Sequence, residues 1–106
     1  MARYTFVVFT RPIDGGEEAF NDWYDNQHIP DVLAVPGFQS ARRLHTVDGL
    51  TDAPRYLALY ELETDDPAAA LAELSARAGT ALMPMSEALD PESIDAVLYE
   101  ALSPQS

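Results

Sequence analysis

The sequence predicts an α+β domain whose elements run β-α-β-β-α-β, and three observations carry that reading. Runs of β-branched and aromatic residues recur between Gly, Pro and Asp turn signals. Phe20, Trp23, Tyr24, Gln27 and His28 share one stripe at helical spacing. An alanine- and leucine-rich segment is bracketed by Asp66-Pro67 in front and Gly79 behind. With 106 residues, the expectation is a single domain covering 1–106.

Each element has its own warrant. Residues 4–10 (YTFVVFT) form the first strand, closed by Arg11-Pro12 and Asp14-Gly15-Gly16. Glu17 and Glu18 suit the positive end of a helix dipole, so the first helix runs from about Glu17 to His28. Ile29 precedes proline and is expected to leave the α region, with Asp31 capping a short turn through Val32, Leu33 and Ala34 before Pro36-Gly37 ends it. Residues 38–47 alternate as a strand, with Phe38, Ser40, Arg42 and Leu44 on one side and Gln39, Ala41, Arg43 and His45 on the other. Residues 55–63 (RYLALYELE) form the third strand, with Tyr56, Ala58, Tyr60 and Leu62 opposing Leu57 and Leu59. Asp66 caps a second helix that begins at Pro67 and continues from Ala68 through Arg77. Residues 80–93 read as irregular, with a helical turn near 86–89, before a last strand over 94–102 and a frayed tail.

This order gives the split-βαβ, or ferredoxin-like, arrangement: one four-stranded antiparallel sheet with both helices on one face. Strands one, three and four are apolar on both sides. The uncovered face is therefore expected to pack against a second copy, making a homodimer through the sheet faces. The alternative is that residues 79–93 fold over that face in a monomer.

Charge and composition exclude several classes. Eighteen Asp and Glu against six basic residues give a net charge of −12, which repels phosphates and anionic membranes, so no nucleic-acid or membrane partner is expected. No apolar run approaches the roughly 20 residues of a membrane span, and Met1-Ala2-Arg3 leads into a strand without a signal-peptide pattern, so a cytoplasmic location is expected. Without cysteine there is no disulfide, thiolate nucleophile or thiolate metal site. Asp14-Gly15-Gly16 lacks a phosphate loop's lysine, no serine sits in a nucleophile elbow, and no tight ligand spacing suggests a metal. No cofactor is expected. Haem is disfavoured because His28 and His45 are the only imidazoles.

His28 is the first catalytic candidate, because imidazole moves protons near neutral pH. At a helix C-terminus the dipole favours its charged form, whereas burial under Trp23 and Tyr24 favours the neutral one. Tyr24, one turn earlier, is its partner, and Asp25 or Asp31 is expected to set its tautomer. The other reading is that His28 caps helix carbonyls and locks the Pro30 turn. Further substrate-binding candidates are Phe20 and Trp23 on the stripe and Arg43 and His45 as a local basic spot suited to a carboxylate or enolate. Tyr56 and Tyr60 join them, with the small Ala58 between. Their alternatives are core, interface or surface ion-pair roles. Met83, Pro84 and Met85 form a flexible apolar patch that either covers a pocket or fills the core.

The positions Phe20, Trp23, Tyr24, His28, Ile29, Pro30, Pro36, Gly37 and Phe38, within FNDWYDNQHIPDVLAVPGF, resemble the pattern of EthD-like proteins in the dimeric α/β-barrel superfamily. Past Val47 no family signature is visible. The resemblance implies a ferredoxin-like subunit, dimerisation through the sheets into a barrel, and a pocket between helices and sheet for a small organic molecule. It implies the reaction less well, since related proteins include monooxygenases, isomerases, cyclases, dehydratases and heme-handling enzymes. The leading expectation is a protein that binds a small apolar or aromatic, oxygen-bearing metabolite. Its chemistry would be cofactor-free acid–base catalysis of an isomerase, cyclase or lyase type, with His28 as acid or base and Tyr24 assisting. A non-catalytic ligand-binding or accessory protein and a cofactor-independent monooxygenase are the alternatives.

Overall fold

Strand β1, Ala2–Thr10, is the hub of a computed structural model that describes residues 2–102. The tail read as frayed, 103–106, lies outside the described residues. β1 pairs antiparallel along its whole length with β3, Tyr56–Thr64, and on its other side with β4, Asp95–Glu100. β2, Phe38–His45, pairs with the outer edge of β3, so the order is β2-β3-β1-β4, the ferredoxin-like topology expected from the sequence. β4 is shorter than the expected 94–102; the expected turn over 86–89 is present, its Leu89 amide donating to the Ser86 carbonyl at 3.3 Å, and a 3-10 turn at Pro91–Ser93 then leads into the strand.

One face of the sheet carries the core. Phe6, Val8, Thr10, Tyr56, Ala58, Tyr60 and Leu62 are buried there against Phe20, Tyr24, Val32 and Val35. Helix α1 is Glu17–Trp23, α2 is Ile29–Leu33 and α3 is Pro67–Arg77. Asp66 caps α3 as expected, its carboxylate accepting from the Ala69 amide at 3.0 Å. Met83, Ala88 and Leu89 are buried in the same core. The 79–93 segment thus folds onto the helix side and leaves the opposite sheet face bare.

Three local expectations need correction. The first helix does not break before Pro30: Tyr24–His28 forms a π-helical turn, and Ile29 stays in the α region at φ −57°, ψ −50°. The Ile29 amide donates to the Tyr24 carbonyl, five residues back. This wider turn lets the chain carry a proline, which has no amide to donate, straight into α2. Asp31 therefore does not cap α2; it accepts from Gln27 Nε2 at 2.7 Å. In β2, a bulge between Phe38 and Ser40 turns Phe38 onto the face of Ala41, Arg43 and His45, which simple alternation had put opposite. Burial of Phe38 against Phe6 and Tyr60, with ring centroids 6.4 and 6.1 Å away, outweighs the lost pairing.

On the bare face, Val7 lies between Leu59 and Val97, and Phe9 is opposite Leu57. Among the described residues no helix packs there. Val97, Tyr99 and Leu44 are exposed, and Val7, Phe9, Leu57 and Leu59 are half-buried.

Candidate functional site

The π-turn builds the site. It extends α1 without a break, so Trp23, Tyr24 and His28 point into one space over β1 and β3. There they surround a predominantly apolar cavity of about 300 Å³. Phe6, Val8, Thr10 and Tyr60 form its floor, Ala96 on β4 its side, Leu74 of α3 and Ala78 just past the end of that helix its far wall, and Met83 and Met85 its roof. The Trp23 indole N–H donates to the Pro84 carbonyl at 3.0 Å, which ties the methionine segment across the opening. Among the described residues a larger cleft of about 680 Å³ lies at the ends of β1 and β3, but charged side chains such as Arg11, Asp14, Glu17, Asp52 and Arg55 wall it.

His28 is wedged between two rings. Trp23 stacks on it at 4.6 Å and 25°, and Tyr24 meets it edge-on at 5.1 Å. Because the helix continues through Pro30, His28 is not at a helix C-terminus, and the expected dipole stabilisation of its charged form is absent. Burial pushes its pKa down to about 4, with Asp31 opposing weakly, so the imidazole is neutral at pH 7. Neither expected carboxylate holds its tautomer: Asp25 pairs with Arg43 at 2.8 Å and Asp31 with Gln27. His28 Nδ1 is buried without a hydrogen-bond partner.

Tyr60 Oη is likewise buried and makes no well-formed hydrogen bond, although the Tyr24 phenol stands near enough to interact with it. Burial drives Tyr60 far above the usual phenol range, with the nearby Tyr24 adding to the rise, and burial also raises Tyr24. Both phenols hold their protons at pH 7.

Of the residues singled out from sequence, Tyr24, His28, Trp23 and Tyr60 meet at this cavity. The others stand outside it. Phe20 is fully buried beneath, packed on Tyr24 and Tyr56. The Tyr56 hydroxyl accepts from Asn21 Nδ2 at 3.3 Å. Arg43 is held by Asp25 and Asn21, each at 2.8 Å. His45 sits exposed at the sheet edge, its Nδ1 2.8 Å from the Thr46 carbonyl. Ala58 does not open the expected room; Ala96, level with Val8 on β4, does. Sequence reasoning missed Ala96, Ile94 and Thr10. The parity of β4 against Phe6 and Val8 was the available signal, but it requires the register.

No family model matches the chain, and no curated protein matches it. Solved structures do. A proposed monooxygenase from Shewanella loihica PV-4 superposes with a TM-score of 0.64 at 17% identity, covering 97% of each chain. MhuD from Mycobacterium tuberculosis, a heme-degrader with two hemes bound in its active site, gives 0.61 at 19% identity, covering 97% of this chain and 99% of that one. An EthD family protein from Bacillus halodurans C-125 gives 0.55 at 15% identity, covering 96% of this chain and 100% of that one. At these identities the likeness shows the fold alone: the chain has a ferredoxin-like fold. Among the described residues no helix is long and apolar enough to cross a membrane.

Proposed function

We propose that the chain binds a small apolar or aromatic, oxygen-bearing molecule in the 300 Å³ cavity, and that His28 takes a proton from it without a cofactor. The observation that carries this reading is the pair of unpartnered polar atoms, His28 Nδ1 and Tyr60 Oη, on residues lining one apolar space. Each orphaned group costs about 1–3 kcal/mol, a cost that a ligand with matching polar atoms relieves. A neutral imidazole accepts and a protonated phenol donates. The matching chemistry is abstraction of an acidic C–H or O–H proton: the bonding pair stays on the substrate and the proton goes to His28. The resulting oxyanion accepts hydrogen bonds from Tyr24 and Tyr60. Returning the proton to a different carbon completes an isomerisation.

MhuD's heme does not fit here. The cavity lies at the lower end of the roughly 300–1,000 Å³ usual for small-ligand pockets. It is too small for a porphyrin, and no Arg or Lys lines it to meet propionates.

A panel of phenols, quinols and enolisable ketones tests the reading, with fluorescence of Trp23, the single tryptophan, reporting binding beside His28. Tyr60→Phe is expected to weaken an oxygen-bearing ligand about tenfold while leaving the apoprotein as stable or more so, because an unpaired buried hydroxyl is removed. His28→Ala is expected to abolish turnover with retained binding. If it costs only stability, the site is a binding pocket and His28 is architectural; if no panel member binds, the proposal falls.

The bare sheet face supports a second copy as partner. A row of Val7, Leu59 and Val97 beside Phe9 and Leu57 is a contiguous apolar surface that a soluble monomer does not usually leave open. A homodimer in sedimentation is expected, tightening with moderate salt because each subunit carries −12. Val97→Asp, placed in that row, is expected to give monomers. A monomeric wild type at tens of micromolar concentration removes the dimer.

A further inference from the structure

No cation lines the cavity, yet one packs against its wall. The Arg43 guanidinium carbon lies 4.4 Å from the centroid of the Tyr24 ring, with Phe20 at 5.6 Å and Tyr56 at 5.7 Å. Arg43 itself does not reach the cavity. Asn21 Oδ1 and Asp25 Oδ1, a helical turn apart, each accept from it at 2.8 Å and fix it in place. The side chain is 16% exposed, whereas Asp25 is 62% exposed. Water therefore screens the carboxylate more than the guanidinium, and the pair leaves a positive field on the protein side.

We infer that Arg43 is a positioning residue for this cavity: stacked on Tyr24, it holds that ring and lends positive charge to a ligand it never touches, so it offsets part of the penalty that burial sets on the oxyanion of a bound phenol or enol. The inference rests on the cavity being a binding site. Surface pairing alone explains neither the three rings around this arginine nor its burial in a chain whose other acids are mostly solvated. The ionisable groups facing Tyr24 are Arg43, Tyr60 and His28, with Asp25 behind Arg43 and Asp31 near His28. Burial raises both Tyr24 and Tyr60, and the charge of Arg43 opposes that rise in small part. A ligand oxygen between those hydroxyls sits in the same field.

The probe is 4-nitrophenol, whose anion absorbs visible light, titrated with wild type and with Arg43→Gln, Arg43→Lys and Asp25→Asn. Arg43→Gln is expected to shift the bound probe toward its neutral form and weaken the anion about tenfold, the size of one unit charge several ångströms away in protein. Asp25→Asn, which frees Arg43 from its counter-charge, is expected to move the probe the other way, and Arg43→Lys to retain most of the wild-type behaviour. Mere loosening of Tyr24 would push Arg43→Gln and Asp25→Asn in the same direction. Shifts of the same sign, or none with binding intact, overturn the inference and leave the binding site standing. Should Arg43→Gln fail to fold, the exposed Asp25→Asn decides by its sign. If the wild type binds a panel ketone but neither 4-nitrophenol nor any other phenol, this inference falls and the binding site stands; if no panel member binds, both fall.

Discussion

Phe20→Ala is expected to lower the free energy of unfolding by about 3–5 kcal/mol, the usual cost of truncating a fully buried phenylalanine. Phe20 has no exposed surface and touches three rings, with centroids 5.4 Å from Tyr24, 5.3 Å from Tyr56 and 6.5 Å from Trp23. It joins α1 to β3 at the point where the π-turn begins, so neighbours cannot close the void without moving the helix. For a domain of this size, whose total stability is about 5–15 kcal/mol, the loss is a large fraction. Urea unfolding followed by circular dichroism measures it. A loss under about 1 kcal/mol would mean that Phe20 is not the hinge of the core. The same substitution should weaken ligand binding in the cavity even though Phe20 does not line it, because Tyr24 rests on its ring.

The element order was legible because it rests on local signals that tertiary packing reinforced. β-branched runs, the Asp66-Pro67 cap and the Pro36-Gly37 stop each act within a few residues, and each appears in the structure. The stripe Trp23, Tyr24, His28 was legible as one face of a helix, and it does face one cavity. What stayed hidden needed information from a distance. Pro30 looked like a break because a regular α-turn cannot hold it, and only a switch to five-residue hydrogen bonding lets the helix pass. Phe38 changed sides because burial against Phe6 and Tyr60 pulled a bulge into the strand. Ala96 and Thr10 became cavity residues through a register that no periodicity within one strand announces. Arg43 was singled out as a candidate to touch substrate, and its place behind Tyr24 depends on Asn21 and Asp25 reaching it from a different element.

The π-turn is what makes the site composite. A regular α-helix through 24–28 would rotate His28 by most of a residue position relative to Trp23 and Tyr24, and the imidazole would lose its stacked place against the indole. The widened turn therefore serves two ends at once: it carries Pro30 into α2 and holds an imidazole unpaired inside an apolar space. A group that only locked the turn would be expected to bond a carbonyl there, and His28 bonds none.

Acidification should expose that unpaired imidazole. His28 has a pKa of about 4 in the folded chain against about 6.5 when unfolded, so between those values the unfolded chain binds the extra proton. Stability on this account is fully present above pH 6.5, falls as the pH drops, and levels off below about 4, where both states are protonated. The loss is about 2 kcal/mol at pH 5 and about 3 kcal/mol at its limit. Asp90, whose carboxyl is held below its usual range by the Arg11 hydrogen bond, also loses stability on acidification, but only lower on the scale. Urea unfolding between pH 7 and pH 5 therefore isolates His28. Wild type is expected to weaken across that window while His28→Gln, which cannot take up the proton, stays nearly flat, so the two stability curves converge or cross. Trp23 fluorescence should record the same protonation, because a charged imidazole stacked on the indole quenches it. Parallel curves for wild type and His28→Gln would place the imidazole in water, and the reading of it as a buried base would not survive.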